Sequence, residues 1–209
     1  MTRFRSSLAV LPLLLIATAC AAPSGAPATA IAQPAIAAAY LPLHARTHLG
    51  IDSADGAAVV IAPGIAVTNA HNANLLDSRN IIGTVRDYDL LYFRTPHVAQ
   101  PATAAPVIGE AVTAYGQGGE NQLRVAHGVV RQIQTCAGCT APNWFTFSNG
   151  KRGADDAGPG FSGGPVVDAS GRLVGITFGY KDSGSERLIY AYDMSRVRAE
   201  FSAFQKARN

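Results

Sequence analysis

Two stretches of the 209-residue chain combine residue types that chemistry can use. The first is Gly158-Pro159-Gly160-Phe161-Ser162-Gly163-Gly164-Pro165-Val166-Val167-Asp168, a glycine-rich turn around a single serine that runs into a strand. A serine becomes a nucleophile when a tight turn exposes its Oγ, nearby backbone N–H groups can meet an oxyanion, and a base lies within hydrogen-bond reach. Glycines on both sides permit the backbone angles of such a turn and leave amides uncovered where negative charge would develop. The second stretch runs from Gly56 to His71, a hairpin of small and β-branched residues that ends in Thr68-Asn69-Ala70-His71. An imidazole acts as the base when a carboxylate orients it through its other ring nitrogen. The chemistry in view is nucleophilic catalysis by three side chains brought together from distant parts of the chain.

The elements that must position them are short strands. Runs of β-branched and aromatic residues, punctuated by Gly, Pro, Asn and Asp, predict strands over 57–61, 65–68, 81–85 and 90–94. After a Pro-rich bridge (96–106) come further strands over 111–115, 128–133, 144–147, 165–168, 173–178 and 188–192. Residues 193–207 have helical spacing, with Met194, Val197, Phe201 and Phe204 on one stripe. With 21 Gly, 12 Pro, two Met and one Trp, the composition favours strands and turns over a helix bundle. The length suits one domain, the bridge divides it into two β units, and no internal repeat is present in the sequence.

Both motifs resemble the chymotrypsin/trypsin-like serine proteases. That family carries T-A-A-H around its base and G-D-S-G-G-P around its nucleophile. The counterparts here are Thr68-Asn69-Ala70-His71 and Gly160-Phe161-Ser162-Gly163-Gly164-Pro165, in the family's order. The stretch from Ala111 to Gly116 is similar to the opening strand of the second barrel, and Gly171 to Ile176 to the strand that walls the specificity pocket. The resemblance implies an all-β fold of two antiparallel barrels, the first at about 41–95 and the second at about 107–192, with a C-terminal helix at 193–207. It implies hydrolysis of peptide bonds, with His71 and Ser162 as base and nucleophile and the N–H groups of Gly160 and Ser162 as the oxyanion hole. In the family the acid begins an apolar strand between the two. Asp87 and Asp89 both qualify, and Asp89 is preferred because Leu90-Leu91-Tyr92-Phe93 then follows it without a charge inside the strand.

The sequence also departs from the family. His71 and Asp89 are only 18 positions apart, so the first barrel is expected to be reduced. Phe161 replaces the Asp that, in trypsin, pairs with a newly cut N-terminus. Asp156 stands six residues before Ser162, where trypsin-like members hold the Asp that binds basic side chains. The opposing reading is a polar turn at Asp155-Asp156, with Phe178, Gly179 and Tyr180 lining a pocket that admits an apolar residue equally well. His44, His48, His97 and His127 have no catalytic context and read as surface or local structural residues.

The N-terminus reads as an export signal over 1–19, with Arg3 and Arg5 ahead of an apolar run from Leu8 to Ala17. Cys20 directly after Ala17-Thr18-Ala19 resembles a lipoprotein acylation site, although Ala17 stands where that pattern prefers Leu; plain secretion after an ordinary A-x-A cleavage is the alternative. Residues 20–40, rich in Ala and Pro, are expected to form a solvated tether to the folded domain at 41–209. Losing Arg3 and Arg5 with the signal takes the formal charge from +3 to +1, which argues against nucleic acid as a partner. Cys136 and Cys139 form a C-x-x-C that, in an exported chain, suits a short disulfide. No metal or organic cofactor is implied. The expected partner is a polypeptide substrate, with the membrane added if Cys20 is acylated. The expected location is the periplasm or outer membrane, or else the medium. The rival function is a protease-like binding module without catalysis.

Overall fold

The computed structural model describes residues 24–46, 53–85, 87–118, 121–135 and 142–207. A two-residue strand β1 (Ala26–Pro27) and a helix α1 (Pro34–Ala39) lead into β2 (Tyr40–Arg46), β3 (Ser53–Ala62) and β4 (Ile65–Thr68). Two 3-10 segments, Ala70–Leu75 and Ser78–Asn80, precede β5 (Ile81–Val85) and β6 (Leu90–Arg94). The second unit comprises β7 (Ala111–Gly118), β8 (Gln122–Thr135), β9 (Pro142–Ser148), β10 (Pro165–Asp168), β11 (Leu173–Ser183) and β12 (Glu186–Asp193). Helix α2 (Met194–Lys206) ends the fold.

Strands β8, β7, β10, β11, β12 and β9 pair in that order, and β9 returns to β8, so the second unit is a closed six-stranded antiparallel barrel. Long β8 makes closure possible: its first half pairs with β7 and its second half with β9. The first unit is a five-stranded antiparallel sheet in the order β2-β3-β4-β6-β5, and no pairing among the described residues joins β5 back to β2. This is the chymotrypsin-type architecture with its first barrel reduced.

Helix α2 packs over β5 and β6. Tyr92 Oη donates to the Val197 carbonyl at 2.8 Å, and its ring centroid lies 4.8 Å from that of Phe201. Gly83 on β5 leaves room for the Phe204 ring, which a Cβ there would approach to 2.2 Å. The stripe of Met194, Val197, Phe201 and Phe204 thus supplies apolar cover to a sheet that does not close on itself. Fully buried Val59, Val60, Val67, Leu90 and Leu91 share one core with Leu173, Ile176, Met194 and Val197, so the two units are packed as one body. Burying each such side chain contributes about 1.5–3 kcal/mol.

The tether expected over 20–40 needs correction from Ser24 onward. Ile36 and Ala39 are completely buried, Pro34 starts α1 where its missing N–H is harmless, and Tyr115 Oη donates to Gln33 Oε1 at 2.9 Å. Ala-rich composition hides such a segment because two buried residues suffice to dock one and a half turns of helix. Strand β2 likewise lacks a pattern of its own, and its seven residues are held by register with β3. The signal region, Cys20, Cys136 and Cys139 lie outside the described residues. No helix among the described residues is long and apolar enough to cross a membrane.

Candidate active site

Strand order explains how 18 positions bring His71 and Asp89 together. Strands β4 and β6 are antiparallel neighbours with Thr68 opposite Leu91, and β5 lies outside them. The chain leaving β4 therefore passes the chain entering β6. Asn69 Nδ2 and the Ala70 N–H both donate to the Asp89 carbonyl, at 2.8 and 3.2 Å, pinning the two connections side by side. His71 follows, in the first turn of the 3-10 segment. Asp89 grips it at two points: Oδ1 accepts the His71 backbone N–H at 3.0 Å, and Oδ2 lies 2.5 Å from Nδ1. The second unit contributes as well, since the Asp89 N–H donates to Tyr192 Oη at 3.2 Å. Asp87, the other candidate acid, is exposed.

The hydrogen bond to Asp89 raises the His71 pKa above its ordinary value, its negative charge adds to this, and partial burial works against both. With Nδ1 committed to the carboxylate as donor, Nε2 is the basic nitrogen of the neutral ring. Half of the His71 side chain is exposed, so its ring is open to solvent.

Ser162 sits in two consecutive turns. The Phe161 N–H donates to the Gly158 carbonyl at 3.1 Å and the Gly164 N–H to the Phe161 carbonyl at 2.9 Å. Pro159 and Gly160 form the corner of the first turn, Ser162 and Gly163 that of the second. Each corner has its glycine in third place with positive φ, +89° at Gly160 and +83° at Gly163, as type II turns require. Space excludes other residues too. A Cβ would lie 1.8 Å from the Gln117 carbonyl at Gly160 and 2.1 Å from the Ala57 carbonyl at Gly163. The Ser162 turn is thus wedged between β3 of the first unit and β7 of the second. Neither the Gly160 nor the Ser162 N–H has an acceptor among the described residues, so both remain available to an oxyanion.

What links the two halves is Asn72, which sequence reasoning passed over. Its Nδ2 donates to the Ser162 carbonyl and to Thr68 Oγ1, both at 2.9 Å, while the Ala57 N–H donates to the same Ser162 carbonyl at 2.9 Å. The residue after the histidine is therefore bonded directly to the serine's backbone. No hydrogen bond joins the His71 ring to Ser162 Oγ among the described residues. Resting sites commonly hold this contact loosely and tighten it around substrate.

A cavity of about 250 Å³ opens beside Ser162, lined by Ala157, Gly158, Pro159, Thr177, Gly179, Tyr180 and Ile189. Of the expected pocket residues, Gly179 and Tyr180 line it, and Asp156 and Phe178 do not. Asp156 is 1% exposed, and its carboxylate accepts from Asn149 Nδ2 and the Gly153 N–H, both at 2.7 Å. It organises its own loop instead of awaiting a basic side chain. Phe178 does not line it: the β11–β12 register shifts between Thr177 and Gly179, and the Phe178 ring stacks on that of Tyr192 with centroids 4.1 Å apart. Thr177 is the polar residue of this wall that the sequence reading missed, and its buried Oγ1 has no hydrogen-bond partner among the described residues. Among the other histidines, His44 Nδ1 lies 2.5 Å from Asp55 Oδ1 and His127 Nδ1 3.0 Å from Thr113 Oγ1. His48 lies outside the described residues.

Residues 75–176 match the trypsin-like peptidase domain family. The chain carries a trypsin-like peptidase domain. The match contains Asp89 and Ser162 and begins just after His71. Solved structures agree on the architecture. The Rv3671c protease of M. tuberculosis, in its active form, is 18% identical with a TM-score of 0.61, over 96% of this chain and 93% of that one. The serine endoprotease of Yersinia pestis gives 18% and 0.61 over 81% of this chain and 63% of its own. The HtrA-type protease AlgW, solved with a tripeptide, gives 19% and 0.60 over 81% and 61%. The last two are longer proteins, of which this chain spans less than two thirds. At such identities the likeness is one of fold. No curated protein matches the chain in sequence.

Proposed function

We propose that this peptidase domain is a serine endopeptidase. Ser162 Oγ attacks a peptide carbonyl while His71 Nε2 takes its proton, and the same nitrogen returns the proton to the leaving amine. Asp89 fixes the ring tautomer and stabilises the imidazolium. The Gly160 and Ser162 N–H groups stabilise the tetrahedral oxyanion, where loss of one donor typically costs about 10²–10³ in turnover. The apolar cavity receives the side chain on the acyl side of the cut bond, which favours small and medium apolar residues over basic ones. Export, with Cys20 as a lipid anchor, places the enzyme outside the cytoplasm.

The observation that carries this reading is the two-point grip of Asp89 on His71, one residue from the asparagine that holds the Ser162 turn. The test is labelling of the full chain with a serine-directed fluorophosphonate, alongside hydrolysis of an unfolded polypeptide. Labelling that vanishes in Ser162→Ala and falls at least 100-fold in His71→Ala is expected. Folded protein that never labels would make this a binding module. Ester turnover without peptide cleavage would overturn the endopeptidase assignment.

A further inference from the structure

We infer that the segment Ser24–Ala28 is a positioning strap for the nucleophile loop, so that catalysis depends on a stretch of chain far from the three reacting side chains. The inference rests on the endopeptidase reading above.

The strap touches the loop at each point that shapes the site. The Gly25 N–H donates to the Asp156 carbonyl at 2.8 Å, fixing the loop where it turns toward the cavity. Ser24 lies against Gly158, whose Cβ, if present, would come within 2.5 Å of Ser24 Oγ. Gly25 lies over the Phe161 ring, which a Cβ on Gly25 would approach to 2.5 Å, and Gly116 backs the ring equally closely on another side. Phe161 is completely buried in this slot and is the immediate neighbour of Ser162. One short segment thus bears on the cavity wall (Gly158), on the start of the loop (Asp156), and on the residue between the two oxyanion donors (Phe161).

The strap's own attachment is slight. Ala26 and Pro27 pair with Val125 and Arg124 of β8, the Ala28 N–H donates to the Leu123 carbonyl at 3.0 Å, and Arg124 Nη1 donates to the Gly25 carbonyl at 3.2 Å. These bonds attach to one edge of a barrel that closes through β7 and β9 without them. Removing the strap would leave the barrel's closing pairings in place. It would uncover one face of Phe161 and release the Asp156 carbonyl, letting the Gly158–Gly163 turns relax away from the geometry that aims two N–H groups at one oxygen. Such a defect appears mainly in kcat, because the oxyanion contact is made in the transition state.

The experiment inserts the recognition site of an unrelated cysteine protease between Thr29 and Ala30 of the full chain and cuts it after folding. Strap removal is verified by mass. A loss of at least 10-fold in both kcat and fluorophosphonate labelling rate is expected, with the circular dichroism spectrum kept. A synthetic peptide of residues 24–31 should restore both saturably. Gly25→Val, which drives a branched side chain into the Phe161 ring, should reproduce the loss without cutting. Cut enzyme that retains its kcat overturns the proposal, and so does a loss that follows global unfolding and is not rescued by peptide. Uncut full chain that never labels would instead sink the endopeptidase reading on which the strap's role depends.

Discussion

Replacing Asn72 by Ala tests the joint between the two halves of the site. The substitution removes two neutral hydrogen bonds, to Thr68 Oγ1 and to the Ser162 carbonyl, from a side chain only 4% exposed. Neither partner is left orphaned. Ser162 keeps the Ala57 N–H, and Thr68 Oγ1 still donates to the Ala57 carbonyl at 2.6 Å. At about 1 kcal/mol per bond, with a small void where the amide packs on Gly56, the cost is about 2–3 kcal/mol. For a domain of this size that lowers Tm by about 4–12 °C. If half of the lost energy had served to hold the Ser162 turn against the His71 segment, kcat/KM falls by about tenfold. Asn72→Asp keeps the volume but points a carboxylate at two oxygens. It should be worse than Ala near neutrality and recover as pH falls, when a protonated acid can donate one bond again. Thermal melts and peptide hydrolysis across pH measure both effects. An Asn72→Ala protein with Tm within 1 °C of the parent and unchanged kcat/KM would refute the claim that this amide couples base to nucleophile.

Because the bond to Asp89 raises the His71 pKa, the acid limb of the kcat/KM profile should lie above the ordinary histidine value. Asp89→Asn should move that limb down and reduce kcat by about 10⁴. The sign for stability is opposite: the pair's contribution is complete below the unfolded pKa, about 6.5, and is lost as pH rises through the raised folded value, so melting curves should show stability falling where activity rises. Gly179→Val should fill the cavity and raise KM for substrates with large apolar residues before the cut bond, read by peptide-library profiling. Asp156→Ala should cost about 2–4 kcal/mol in chemical denaturation without shifting that preference, because its carboxylate serves Asn149 and Gly153. Cys20→Ala should move the protein from the membrane to the soluble fraction. If Cys20 carries a lipid, four residues before Ser24 and so within about 14 Å of extended chain, an anchored enzyme should cut bonds close to the bilayer faster than a released form does.

The strands that carry the site were legible because each is a short apolar run ended by a turn residue. The expected 65–68, 81–85, 90–94 and 165–168 coincide with β4, β5, β6 and β10. The motifs around His71 and Ser162 stand out for a related reason: both rest on local chemistry, small residues after a strand and glycines around a serine. What stayed hidden depends on partners distant in sequence. Asn72 resembles any polar residue until the Ser162 carbonyl, 90 positions away, is brought to it. Asp156 sits at the spacing expected of a specificity acid, but spacing says nothing of Asn149, which claims the carboxylate first. The place of the Phe178 ring was hidden in the same way, because the register of β11 shifts between Thr177 and Gly179 and simple alternation fails there.

The reduced first unit shows which parts of the architecture the chemistry needs. A sheet without closure can still hold Asp89 against His71, because their geometry depends on one pairing, β4 with β6, and on bonds from the Asn69 side chain and the Ala70 N–H to the Asp89 carbonyl. What closure would otherwise supply is apolar cover, and here α2 provides it through Phe201 and Phe204. The Ser162 turn has stricter requirements. Gly160 and Gly163 allow no Cβ, and their turns touch both units at once. Substitutions in the β5 region should therefore be absorbed as stability, whereas any side chain added at Gly160 or Gly163 must displace the loop and abolish turnover even in protein that still folds.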